Sequence, residues 1–286
     1  MHRSAVGGTR IKHHTRELFI SLRPAVEPWD LEFQVKKSIW IDFALPVLIV
    51  VFLTIVWGLA NGDMATAKRF YSADKGWFWG ARAAWTFLYD FGNVPALLLT
   101  IAGFIAFVLS FVSRNLLPWR KIGLFLVTFM IVGPGLIINI AVKDLWSRPR
   151  PADIVDFGGE GQFRHVWEKG PPGQNKSFPS GHAAVGFFLF SPFFILRRSS
   201  PKGAAFFLWL GILYGMLMGF GRMAQGGHFL TDVIWAGLFT YLTGLILYYL
   251  FGFDRAPIQA VLFPSPSGKG RIHGSLKDGC EYSTQD

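Results

Sequence analysis

The chain has 286 residues, 51% hydrophobic and only 16% charged, with a formal net charge of +10. A soluble domain of this size carries more charge and shorter apolar runs, so the composition excludes an ordinary globular enzyme and points to an all-α polytopic membrane protein. The positive balance is then read through the placement of Lys and Arg about membrane spans, and not as a nucleic-acid-binding face.

Residues 1–40 form a basic cytoplasmic or interfacial arm in which Pro24 and Pro28 break any long helix and Trp29, Phe33 and Trp40 are interfacial anchors. The first apolar span, near 41–60, comes after too long an arm to be a cleavable signal. Further spans are expected near 95–113, 121–142, 182–196, 203–221 and 229–252, giving a six-helix transmembrane bundle over 41–253. Between the first two, residues 62–94 are crowded with Trp77, Phe78, Trp79, Trp85, Phe87 and Tyr89. That density suits a helix lying at the outer interface, read as a plain anchor in preference to a border of the site. Pro134, between Gly133 and Gly135, is expected to kink the third span, and Asn139 to bond a neighbouring helix. The fourth span is short and draws extra turns from Arg197 and Arg198. Gly211, Gly215 and Gly219 recur every fourth residue in the fifth, as close packing inside a bundle requires. Residues 254–286, rich in Gly, Ser and Lys, read as a disordered cytoplasmic tail. Cys280 is the single cysteine, so no internal disulfide and no thiolate zinc site is possible.

Three polar clusters interrupt this apolar sequence. The first runs from Lys143 to Pro151 and contains Arg148 and Arg150; the second is Pro179-Ser180-Gly181-His182; the third runs from Arg222 through Gln225, Gly226 and Gly227 to His228 and Asp232. Lys143 ends the third span and His182 opens the fourth, while Arg222 ends the fifth and His228 opens the sixth. Chain parity therefore puts all of them on one side of the membrane. If the N-terminus is cytoplasmic, 17 of the 28 Lys and Arg residues fall inside and 11 outside, which makes both termini cytoplasmic and the clusters outward-facing.

Their inventory suits phosphate chemistry. Lys143 and Arg150 stand seven apart in a proline-stiffened segment, and Arg offers a bidentate fork where Lys offers a point charge. Ser180 is a helix N-cap, and backbone N–H groups of the Gly181 turn can hold phosphate oxygens. His228 and Asp232 are four apart at a helix start and share a face, so the carboxylate can keep one ring nitrogen protonated while the other attacks. The bland alternative for this pair is a capping Asp beside an interfacial His. A dication held by His182, His228 and Asp232 is disfavoured, because Lys143, Arg150 and Arg222 would repel it; no metal and no cofactor is expected.

The combined pattern resembles the signature of the type 2 phosphatidic acid phosphatase superfamily, membrane lipid phosphatases related to vanadium haloperoxidases and bacterial acid phosphatases. That signature is Lys, six residues, Arg-Pro; Pro-Ser-Gly-His; and Arg, five residues, His, three residues, Asp. Lys143, Arg150, Pro151, Pro179, Ser180, Gly181, His182, Arg222, His228 and Asp232 fill it, over residues 143–232 only. Gly221 departs from the Ser that many members carry there, and Arg148 reads as a near-copy of Arg150 that the six-residue spacing passes over. The resemblance implies that His228 attacks phosphorus to form a phosphohistidine, that Asp232 orients it and that His182 protonates the leaving oxygen. It further implies that Lys143, Arg150, Arg222, Ser180 and the Gly181 amide hold the phosphoryl oxygens. In overall look the chain resembles the bacterial lipid A phosphatases. The expected partners are a lipid bilayer and a lipid phosphate, with lipid A, undecaprenyl pyrophosphate, phosphatidylglycerol phosphate and phosphatidic acid as candidates. The expected location is the bacterial cytoplasmic (inner) membrane. A lipid phosphotransferase would use the same residues; an anion transporter would need the cations but no paired imidazoles.

Overall fold

In a bilayer every backbone polar group must find its partner within the protein, which favours helices. The computed structural model describes residues 28–173 and 175–255, and its regular structure is helical apart from two isolated β-bridges, Ser72 with Gly76 and Ile154 with Gly161.

The chain divides between Leu45 and Pro46 into two compact units. Of the first, only the opening of α1 (Pro28–Leu59) is described. Pro28 begins that helix instead of breaking one, since an N–H at a helix start is unpaired in any case. The rest of the predicted arm, and the predicted tail beyond Arg255, lie outside the described residues.

The second unit continues with α2 (Gly62–Lys68), α3 (Ala83–Phe91), α4 (Val94–Leu109) and α5 (Trp119–Met130). A π-helical stretch, Ile131–Val142, runs from α5 into α6 (Lys143–Trp146). After a long polar loop come α7 (Gly181–Phe187), α8 (Ser191–Leu196), α9 (Pro201–Ala224) and α10 (Leu230–Leu250).

Among the described residues, five segments are long and apolar enough to cross a membrane: Ile39–Leu59, Ala83–Leu109, Trp119–Asp153, Pro201–Ala224 and Leu230–Leu250. The expected six-span count is corrected here, because Gly181–Leu196 falls short of a crossing and is broken by a 3₁₀ turn at Phe188–Phe190. Its environment explains this. Ala183, Ala184, Phe187, Phe188, Phe190 and Phe194 are all buried, and the segment packs among α9, α10 and the π-helical stretch. A helix enclosed by other helices does not need the length that lipid contact demands.

The predicted small-residue stripe on α9 makes that enclosure possible. A Cβ on Gly211, Gly215 or Gly219 would come within 2.4 Å of Phe190, 2.3 Å of Phe187 and 2.3 Å of Val233, respectively. Pro134 has a different consequence from the predicted kink. The helix around it widens into π geometry, and Asn139 Nδ2 donates to the Pro134 carbonyl at 2.7 Å instead of bonding a neighbouring helix. The predicted interfacial helix over 62–94 is also corrected: α2 is short, a turn-rich stretch follows, and α3 leads directly towards α4. The aromatic side chains are used for tertiary packing. Trp77 sits against Tyr71 and Phe157, beside a small core of Ala67, Ile154, Phe157 and Phe229.

Candidate active site

Three backbone hydrogen bonds stitch the three polar clusters together in pairs. Ser177 N donates to the Arg148 carbonyl at 3.0 Å, Ser180 N to the Asp232 carbonyl at 3.1 Å, and Ala152 N to the Gly226 carbonyl at 3.0 Å. Residues 29, 52 and 74 positions apart in the sequence are thereby held by main chain, which fixes them more rigidly than side-chain contacts alone.

The candidate phosphate-binding groups surround one spot. Lys143 opens α6 straight after the π-helical stretch, half-buried, and donates from Nζ to Asn139 Oδ1 at 3.1 Å. It lies within electrostatic reach of Arg150, Arg222 and Asp232. Arg150 is exposed on extended backbone, free of the turn that precedes it. Arg222 ends α9, donates to Gln225 Oε1 and covers Gly227 so closely that a Cβ there would lie 2.3 Å from its Nη2. Gly226, with φ of +69°, makes the turn that returns the chain to α10. Ser180 is the buried N-cap of α7, its Oγ accepting from Ala183 N, as its position predicted. Gly181 has no room for a side chain: its Cβ would lie 2.3 Å from Asn139 Oδ1. So the Asn139–Lys143 pair and the Ser-Gly-His turn are pressed against one another.

The imidazoles differ in setting. His182 is half-buried and stacks on Tyr89, ring centroids 4.7 Å apart and planes 19° from parallel. Arg222 and Lys143 bear on it as like charges, and His228 does so when protonated. His228 is buried, and burial pushes it below the ordinary histidine range; Arg222 and Lys143 push the same way while Asp232 opposes them. The ring is therefore mainly neutral at neutral pH.

The expected shared helical face is not formed, because His228 precedes Phe229, the extended N-cap of α10, while Asp232 lies in the first turn; nor is the expected hydrogen bond made. His228 Nδ1 stands 3.7 Å from Asp232 Oδ2, beyond hydrogen-bonding range, and has no hydrogen-bond partner among the described residues. The carboxylate is already occupied. Its Oδ2 accepts from Ser177 Oγ at 2.6 Å and Phe229 N at 2.8 Å, and its Oδ1 from Arg148 Nη1 at 2.6 Å. Contacts of this kind are commonly loose without substrate and tighten along the reaction.

Several residues here were not singled out by sequence reasoning. Arg148, passed over as a near-copy of Arg150, is fully buried and is Asp232's ionic partner. Asp63 of α2 bonds both Arg148 and Thr231. Tyr89 and Trp85 line a cleft with His182 and Arg222, so segment 62–94 borders the site and is not a plain anchor. The signal for Arg148 was in the sequence: a second Arg beside an apolar span requires a partner. Asp63 carried no comparable signal.

Next to the polar cluster, Val51, Thr54, Trp146, Trp167, Phe178 and Trp235 line an apolar cavity of about 280 Å³. Phe178 immediately precedes the Pro179–His182 turn and Trp146 precedes Ser147 and Arg148, so the cavity abuts the site by covalent continuity.

Comparison with known proteins gives a consistent result. The profile of the PAP2 superfamily matches residues 122–256. A lipid A 4'-phosphatase of Francisella tularensis subsp. novicida is 32% identical over 200 residues, 66% of this chain and 86% of the relative. Proteins of the same name from Rhizobium leguminosarum and Rhizobium etli are 32% and 33% identical over 106 and 110 residues, covering 37% and 36% of this chain and 44% and 40% of theirs. No solved structure matches the chain.

Proposed function

The chain belongs to the PAP2 superfamily as a multi-pass membrane lipid phosphatase, and on that premise we propose that it removes the 4'-phosphate of lipid A or a closely related glycolipid through a phosphohistidine. The observation that carries this reading is the convergence of Lys143, Arg222, His182 and His228 on one spot at the end of the apolar helices. The name of the 86%-covered relative supports the choice of headgroup. The apolar cavity beside Phe178 would receive an acyl chain while the phosphate lies among the cations.

Phosphate oxygens bind to Lys143, Arg150, Arg222, the Ser180 hydroxyl and the Gly181 amide. His228 Nε2 attacks phosphorus; the P–N bond forms as the P–O bond to the sugar breaks, and Asp232 balances the positive charge that the ring acquires. The departing oxygen takes a proton from His182. Burial, with Arg222 and Lys143 nearby, makes that imidazole resist protonation, so it gains its proton together with the phosphate dianion that offsets the two cations. Water, deprotonated by His182, then attacks phosphorus and breaks the P–N bond, releasing inorganic phosphate. The cations do the work that a metal ion performs in other phosphatases, and we place no metal in this cycle.

The charge asymmetry of the loops supports an inner-membrane orientation with both termini cytoplasmic and the site on the periplasmic face. The experiment is incubation of the purified protein with bis-phosphorylated lipid A and mass spectrometry of the product. Loss of one phosphate, mapped to the 4' position, supports the reading. An intact lipid A, with turnover only of a glycerophospholipid phosphate, would overturn the headgroup.

A further inference from the structure

A fully buried arginine between two carboxylates is expensive unless every group is paired, and this one is. Arg148 donates from Nη1 to Asp232 Oδ1 at 2.6 Å and to Thr231 Oγ1 at 2.8 Å, from Nη2 to Asp63 Oδ2 at 2.8 Å, and from Nε to the Arg164 carbonyl at 2.9 Å. Asp63 in turn accepts from Thr231 N at 3.1 Å and from Thr231 Oγ1 at 2.5 Å. Arg148, Thr231 and Asp232 are 0%, 2% and 0% exposed, and Asp63 is 6% exposed.

We infer that Asp63 and Arg148 are positioning residues of the site, which lock the Asp232 carboxylate in orientation while leaving it one net negative charge to set against His228. The inference rests on His228 being the nucleophile.

The orientation follows from the partition of bonds. With Oδ1 held by Arg148, Oδ2 is the oxygen left to face His228, and Ser177 and Phe229 N keep it there. The charge follows from counting. Arg148 alone would cancel Asp232, and a neutral pair has little to offer an imidazole that becomes cationic on attack. Asp63 supplies the second carboxylate, so the trio carries minus one, which matches the single positive charge that His228 gains. Thr231, between His228 and Asp232 in the same turn, relays Asp63 to Arg148 through its hydroxyl. The other charged or titratable groups bearing on His228 are Arg222, Lys143 and His182, all of one sign when protonated, so this trio is the source of compensation.

The test uses the full chain in detergent with p-nitrophenyl phosphate. Asp63→Asn removes one charge with little change of shape. It should lower kcat by about tenfold or more, the range seen when a group orienting a reacting residue from behind is lost, with KM changed less than about twofold. The acid limb of kcat/KM should move to lower pH, because the histidine loses the charge that favours its protonated form. Asp63→Asn combined with Arg148→Gln restores the count of minus one, and its acid limb should return towards the wild-type position. This double variant carries the test if the single one does not fold. An acid limb in either variant that contradicts this order, or a loss expressed in KM with kcat unchanged, overturns the inference. A wild-type chain that forms no phosphohistidine at His228 overturns the reading beneath it instead, and the two failures are distinguishable in one experiment.

Discussion

Tyr89 lies almost parallel to His182, with ring centroids 4.7 Å apart, and the Arg222 guanidinium lies 4.7 Å from the centre of the same tyrosine ring. One aromatic from α3 thus sets two groups of the candidate site, the cation proposed to grip phosphate and the imidazole proposed to handle the proton. Stacking and cation–π contacts of this kind are each worth about 1 kcal/mol. Tyr89→Leu is therefore expected to slow turnover by roughly fivefold to thirtyfold, while Tyr89→Phe, which keeps the ring, stays near wild type. Steady-state kinetics of both variants check this; equal losses in the two would mean that the hydroxyl, not the stack, matters.

The contact of Gly181 with Asn139 ties the turn proposed to bind phosphate to Lys143. Gly181→Ala puts a methyl group 2.3 Å from Asn139 Oδ1, a distance that real contacts do not reach, so the turn and the lysine must separate. The loss should fall on vanadate affinity and KM. A Gly181→Ala protein that binds vanadate as wild type does would show that the two features are not coupled.

The acid limb of kcat/KM should lie below about pH 6.5, the ordinary histidine value, because burial holds His228 neutral and Arg222 and Lys143 reinforce it. The sign is fixed by mechanism: the neutral ring attacks, so activity is present above its apparent pKa and is lost as pH falls through it. A limb above pH 6.5 would mean that Asp232 outweighs burial.

Because Lys143, Arg150 and Arg222 already supply the positive charge, activity should survive EDTA and be blocked by vanadate, which mimics five-coordinate phosphorus. Complete loss in EDTA with recovery on adding zinc or magnesium would replace this mechanism with a metal-assisted one.

Much of this architecture is legible in the residues. Apolar length marks the crossing helices, and the spacing of Lys143, Arg150, His182, Arg222, His228 and Asp232 marks the cluster that the fold assembles. What was hidden depends on tertiary context. Length alone does not distinguish a span in lipid from Gly181–Leu196, which is enclosed by protein. A proline between glycines announces a disturbed helix but not that Asn139, five residues on, will bond back to the Pro134 carbonyl and then receive Lys143. The six-residue spacing selects Arg150, which is exposed and available, but gives no hint that Arg148 beside it is buried and paired with Asp232. Asp63 meets Arg148 across 85 residues, and no local pattern records that meeting.

The most direct test of the account is to quench the enzyme during turnover of labelled substrate and map the phosphorylated residue. His228 should carry the label, and His228→Ala should form no phosphoenzyme and show no turnover. His182→Ala should slow an alkyl phosphate by about 10²–10⁴-fold but a nitrophenyl phosphate much less, since a nitrophenolate leaves without a proton. Label on His182, or a phosphoenzyme that persists in His228→Ala, would contradict the assignment of the two histidines on which the mechanism depends.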